Sequence, residues 1–167
     1  MEENKVDTNI FERNILEIQK QLNELGQISF VPGGISMWPI LKHKKQTVII
    51  ERLDEGLKRL DVALYHRGGK ILVLHRVLEV LPDGYLMRGD SQQETEKVPF
   101  DCVLGKMIGY YVGKKFIPCD DKKYLERVEK WLANDKKRQR KLKRFFFFRK
   151  VKGKLKRIFG VKSSNKK

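Results

Sequence analysis

The chain is 167 residues long, enough for one domain of ordinary size plus an appendage, and its 40% hydrophobic and 35% charged composition is globular but highly charged. Its 37 Lys and Arg outnumber its 21 Asp and Glu, giving a formal charge of +16, and 16 of the basic residues fall in 136–167, where there is no acid. No apolar run approaches the roughly 18 residues of a spanning helix, the start has no basic-then-apolar secretory pattern, and Cys102 and Cys119 have neither metal-ligand spacing nor a disulfide-rich context.

Taken in order, Phe11, Ile15, Ile18, Leu22 and Leu25 recur at steps of four, three, four and three. That spacing predicts one face of an α-helix, begun near Thr8 or Asn9 and stopped by Gly26. An amphipathic helix over 1–27 can bind a partner or a membrane, or pack on its own domain. Its polar face is mixed in charge, which favours packing. Strands are expected at Ile28 to Val31, Thr47 to Leu53, Leu60 to Arg67, Lys70 to Leu81, Tyr85 to Arg88 and Val103 to Val112. Gly68-Gly69 and Pro82-Asp83-Gly84 mark turns, and a polar loop precedes Val103. Short strands between Gly/Pro turns, with no βαβ alternation, predict a compact mainly-β fold over 28–118. Tyr124, Leu125, Val128, Trp131 and Leu132 predict a helix. A basic run from Lys136 to Arg144 follows, and then Phe145, Phe148, Val151, Leu155, Ile158 and Phe159 again take steps of three and four. Segment 119–167 is therefore expected to form basic amphipathic helices. There is no internal repeat.

The candidate chemistry begins at Gly34-Ile35-Ser36-Met37-Trp38-Pro39. Gly33 and Gly34 permit unusual backbone angles and Pro39 fixes its own φ, so the segment can present one hydroxyl on a tight turn. Serine is a poor nucleophile unless a base takes its proton, and histidine suits that work near neutral pH. Leu74-His75-Arg76-Val77 lies in a strand-like run, and Arg88-Gly89-Asp90 follows one hairpin later. Ser36, His75 and Asp90 thus supply a nucleophile, a base and an orienting acid. A half-buried strand histidine is the alternative use of His75.

Four ordered boxes resemble the signal-peptidase family of serine peptidases, of the S24/S26 type. Ser36-Met37-Trp38-Pro39 is similar to the nucleophile box and Leu60-Asp61-Val62 to the Gly-Asp-Val strand box, with leucine for glycine. Leu74-His75-Arg76-Val77 is similar to the base box and Arg88-Gly89-Asp90-Ser91 to the acidic box. Gly105-Lys106-Met107-Ile108-Gly109 resembles the closing strand, so the likeness runs from about Ile28 to Val112. A histidine in the base box, where the common bacterial enzymes carry lysine, is similar to the endoplasmic-reticulum and archaeal branch. The resemblance implies a hydrolase acting on peptide bonds with no cofactor and no metal. It implies Ser36 as nucleophile and source of a backbone oxyanion donor, His75 as base, Asp90 as third member, and Asp61, Gly34 and Pro39 as support. Two departures stand out. Ser91-Gln92 follow Asp90 where the family has asparagine, and an amphipathic helix precedes the nucleophile where relatives carry a membrane anchor.

In the C-terminal segment, a Phe/Leu/Ile face among Lys and Arg is the pattern of a helix in a membrane interface, with Phe145, Phe148, Leu155 and Phe159 as the buried positions. The same charges suit nucleic acid, and the four consecutive phenylalanines favour an anionic membrane. A solvated tail is the reading for Gly160 to Lys167. Together these features lead to the expectation of a cytoplasmic serine endopeptidase, peripheral on a membrane, trimming leader or signal segments. A catalytically silent binding module of the same fold, tethered to membrane or RNA, is the alternative. An intact Ser36/His75 pair favours the enzyme.

Overall fold

The computed structural model describes residues 8–42 and 44–159, with side chains over 15–42 and 44–153. The chain divides into two compact units, Met1–Val128 and Glu129–Lys167. The first is an eight-stranded antiparallel sheet preceded by a helix. Strands β1 (Gln27–Phe30), β2 (Val48–Arg52), β3 (Val62–Arg67), β4 (Ile71–Leu81), β5 (Gly84–Arg88), β6 (Glu96–Pro99), β7 (Val103–Val112) and β8 (Lys115–Pro118) run in the order β1-β2-β7-β3-β4-β5-β6. β8 pairs with the far end of β7. The fold is mainly β, as the short strands between Gly/Pro turns predict.

Helix α1 (Thr8–Leu25) packs on β1, β2 and β7. Ile15 and Leu22 are buried, whereas Leu25, at the end of the same stripe, is 69% exposed. The Phe11 side chain lies outside the described residues. The helix stops at Gly26, which takes φ 75 and donates its N–H to the Leu22 carbonyl at 3.0 Å. A left-handed residue at this point closes the last turn and suits glycine. The Gly26 carbonyl then accepts from Arg52 N–H at 2.8 Å, tying the helix end to β2.

The β3–β4 hairpin turns through Gly68 (φ 57) and Gly69 (φ 68), the two positive-φ positions that a tight hairpin requires. Its register sets Ala63 opposite His75 and Val62 opposite Arg76. Apolar residues on one face of β3 to β6 form the core cluster: Ala63, Tyr65, Val77, Tyr85, Met87 and Val98, with Leu57. Two strands escape the sequence pattern. β6 lies in the expected polar loop, and β8 is a short edge piece with two exposed positions.

Helix α2 (Lys122–Leu132) is capped by Asp121, whose carboxylate accepts from Tyr124 N–H at 2.9 Å. In the second unit, α3 (Asp135–Phe159) is one continuous helix of 25 residues, capped by Asn134 through Lys137 N–H at 2.9 Å. Four successive phenylalanines at about 100° per residue cannot share one face of a helix. Accordingly Phe145 is half-buried, while Phe146, Phe147 and Phe148 are 43%, 63% and 61% exposed. The most exposed of the four is Phe147, which the helical spacing does not single out. Among the described residues no helix is long and apolar enough to cross a membrane.

Candidate functional site

Ser36 sits in a turn between β1 and β2, half-buried. Neither Gly33 nor Gly34 takes a positive φ, so the unusual backbone angles expected there are not used. A Cβ at Gly34 would meet Ser36 Oγ only at 3.9 Å, an ordinary contact, so the space there does not demand glycine either. Pro39 follows a cis Trp38–Pro39 bond. The acidic box holds this turn from the other side. Ser91 N–H donates to the Ser36 carbonyl at 2.7 Å and Ser91 Oγ to the Ile35 carbonyl at 3.0 Å. A side chain at Gly89 would meet Ser36 O at 2.9 Å and Ser36 Cβ at 3.0 Å, so close approach demands glycine there. Ser91, which departs from the family pattern, thus ties box to turn.

His75 is 2% exposed at the middle of β4. Its Nδ1 faces two groups: Glu96 Oε1 at 2.8 Å and the Tyr65 hydroxyl at 3.0 Å. The Tyr65 hydroxyl also donates to Glu96 Oε1. Arg67 grips the same carboxylate, with Nη2 at 2.8 Å from each oxygen and Nε at 3.0 Å from Oε2. Burial pushes His75 below the ordinary histidine value, and the Glu96 carboxylate opposes this without reversing it. Partial burial alone would raise the Glu96 carboxyl. The donors Tyr65, Arg67 and His75 outweigh it and hold that group below the usual carboxylate range. Burial and the adjacent Glu96 push the Tyr65 hydroxyl far above its normal range, so it remains a donor.

Asp90 serves a different partner. Its oxygens accept from Arg76 Nε at 2.8 Å and Nη2 at 2.7 Å, and both side chains are fully buried. Arg76 Nη1 completes its set on the Leu60 carbonyl at 2.8 Å and the Tyr124 hydroxyl at 3.2 Å. Burial works against the Arg76 charge, but the Asp90 carboxylate more than offsets it. The orienting acid expected at Asp90 is therefore a structural clamp, and the carboxylate on His75 Nδ1 is Glu96. The reason is parity. His75 and Arg76 are consecutive in β4 and point to opposite faces. Glu96 pairs with Met87 and Met87 with Val77, two residues beyond His75, which puts Glu96 on the histidine side.

Asp61 accepts from Lys58 N–H at 2.8 Å and lies 3.1 Å from Lys106 Nζ. Beside it Leu60 takes φ 78. This is the position at which the strand box is written with glycine, and the backbone keeps the conformation that glycine suits.

Ser36 and His75 line one cleft of about 590 Å³. Ile18 of α1, Phe30, Met37 and Leu74 contribute apolar walls, and Gln21, Gln46 and Gln92 polar ones. Among the described residues no hydrogen bond joins Ser36 Oγ to His75, and no group bonds His75 Nε2 or accepts from the Ser36 N–H. No His, Cys, Asp and Glu cluster among them could hold a metal. Cys102 and Cys119 are free, and burial pushes the Cys119 thiol up to about 11, which keeps it in the protonated form near neutral pH. Of the expected membrane positions, Phe148 is exposed, Phe145 is half-buried, and the Leu155 and Phe159 side chains lie outside the described residues.

Glu96 escapes a reading of the sequence because it follows Gln92-Gln93-Glu94-Thr95 in a stretch with no apolar alternation. Only the β5–β6 register brings it to His75. In comparisons with known proteins, no family model matches this chain and no curated protein matches it either.

Proposed function

We propose that the chain is a serine endopeptidase of the signal-peptidase type, with Ser36 as nucleophile and His75 as base. One observation carries the reading: Ser36 and His75 line the same apolar cleft, with Nε2 bonded to none of the described residues. The ordered boxes support it, since the nucleophile turn and the acidic box are bonded together through Ser91.

In this mechanism Ser36 Oγ attacks the scissile carbonyl carbon of a peptide extended in the cleft. His75 Nε2 takes the hydroxyl proton and then gives it to the leaving amine, as in other Ser-His sites. Water, activated by the same nitrogen, releases the acyl group from Ser36. The Ser36 N–H, which none of the described groups accepts from, is the oxyanion donor. A Ser-to-His distance too long for a hydrogen bond before substrate arrives is compatible with this, because such bonds tighten in the substrate complex. No metal or cofactor enters any step.

The same proposal assigns α3 to an anionic membrane surface. Phe147 and Phe148 are well exposed on a helix whose only acid is Asp135, at its first position. A peptidase held there would trim leader or signal segments.

The test is hydrolysis of a mixture of unstructured peptides, read by mass spectrometry. The full chain is expected to cut at defined bonds and Ser36→Ala to cut none. Equal cleavage by Ser36→Ala would overturn the assignment.

A further inference from the structure

The protons around His75 can be placed from bonding capacity alone. Glu96 takes Arg67 on both of its oxygens and the Tyr65 hydroxyl on one of them. A carboxylate held by a guanidinium and a phenol is ionised and can only accept. Tyr65 has a single proton, and it goes to Glu96. Its oxygen can then only accept from the third group within reach, His75 Nδ1 at 3.0 Å. Nδ1 therefore stands against two acceptors, Glu96 Oε1 at 2.8 Å being the nearer, and must itself carry a proton. Any other arrangement sets a lone pair against the carboxylate or requires a protonated Glu96 beside Arg67.

We infer that Glu96, clamped by Tyr65 and Arg67, is the positioning residue for His75, holding the ring in the Nδ1–H tautomer with Nε2 bare. In a neutral imidazole the nitrogen without the proton is the base. What Nε2 then does rests on the peptidase reading; the tautomer does not. The charged and titratable groups on the His75 side are Tyr65 and Arg67 from β3 and Glu96 from β6; Asp90, on the opposite face of β4, acts on the ring only through space, and Lys42 lines the same cleft. Among the described residues Glu96 is the nearest of the charged groups and the only charged one bonded to the ring. Arg67 reaches the ring only through Glu96.

The experiment is a titration of His75 in the full-length chain by long-range ¹H–¹⁵N correlation, which separates the two tautomers without any substrate. The wild type is expected to show the Nδ1–H form. Glu96→Gln removes the charge and offers an amide donor, so it should lower the His75 pKa and lose the fixed tautomer, and Glu96→Asp should restore the tautomer in part. Should Glu96→Gln not fold, Arg67→Gln, at a half-exposed position, removes a cation instead and should raise the His75 pKa. A wild-type Nε2–H tautomer, or a His75 titration unmoved in the folded variants, would overturn the inference. With a cleavable peptide, Glu96→Gln should lower kcat by about 10² to 10⁴ with little change in KM, the pattern of a lost orienting acid. A Glu96-dependent tautomer in a chain that cuts no peptide would support the positioning and overturn the peptidase reading.

Discussion

Glu96 Oε1 lies 2.8 Å from His75 Nδ1, while the neighbouring residue on β4, Arg76, is held by both oxygens of Asp90. Consecutive strand positions thus give each carboxylate its own cation or imidazole, on opposite faces of one strand. The two acids should therefore fail differently. Asp90→Asn leaves a buried guanidinium uncompensated and should cost about 3–5 kcal/mol of stability, measured by denaturant unfolding. If it instead left stability intact and abolished activity alone, Asp90 would belong to the chemistry after all.

Activity should depend on pH through a histidine that protonates later than usual. Burial places the His75 pKa below its ordinary value of 6.5, so kcat/KM should rise through a midpoint below that value. Stability carries the same sign. Below 6.5 the unfolded chain binds a proton that folded His75 refuses, so the folded state loses stability as pH falls. Glu96, held below its usual range, adds a further loss as pH falls through and below about 4.5. An activity midpoint above about 8.5 would point to a lysine base.

Leu60 holds φ 78 with its carbonyl accepting from Arg76 Nη1. A non-glycine residue in that region costs on the order of 1 kcal/mol. Leu60→Gly relieves the strain and gives up a half-buried side chain, so the two effects should nearly cancel. Thermal unfolding should change by no more than a few degrees, whereas Leu60→Val, β-branched, should lower Tm clearly. A large loss in the glycine variant would mean that side-chain packing dominates at Leu60.

For α3, the expected contact is with anionic vesicles, weakened but not abolished by salt. Salt screens Lys and Arg and leaves the burial of phenylalanine intact. Replacing both Phe147 and Phe148 by serine in the full chain should weaken binding on the order of tenfold or more. Unchanged vesicle binding in that variant, or binding to RNA alone with a steep salt dependence, would contradict the assignment.

Much of this was legible in the residues, for reasons that differ by element. Each core strand carries its own apolar pattern and turn signal, so β2, β3, β4, β5 and β7 stand within a residue or two of expectation. β6 and β8 have no such pattern, since edge strands with charged residues look like loops. Ser36 and His75 are marked by short boxes and reach a common cleft. Glu96 is not marked, because only the pairing of β6 with β5 carries it to Nδ1, and pairing is not written in any one segment. Asp90 serves Arg76 rather than His75 for the same reason. A box gives the residue type and the order, and strand parity decides which neighbour it serves.

The central claim is that Ser36 is a nucleophile activated by His75. Reaction of the full-length protein with a fluorophosphonate, followed by peptide mapping, tests it most directly. One adduct is expected, on Ser36 Oγ, absent in Ser36→Ala and formed far more slowly in His75→Ala. No adduct under conditions that label a known serine peptidase, or an adduct on a different residue, would contradict it.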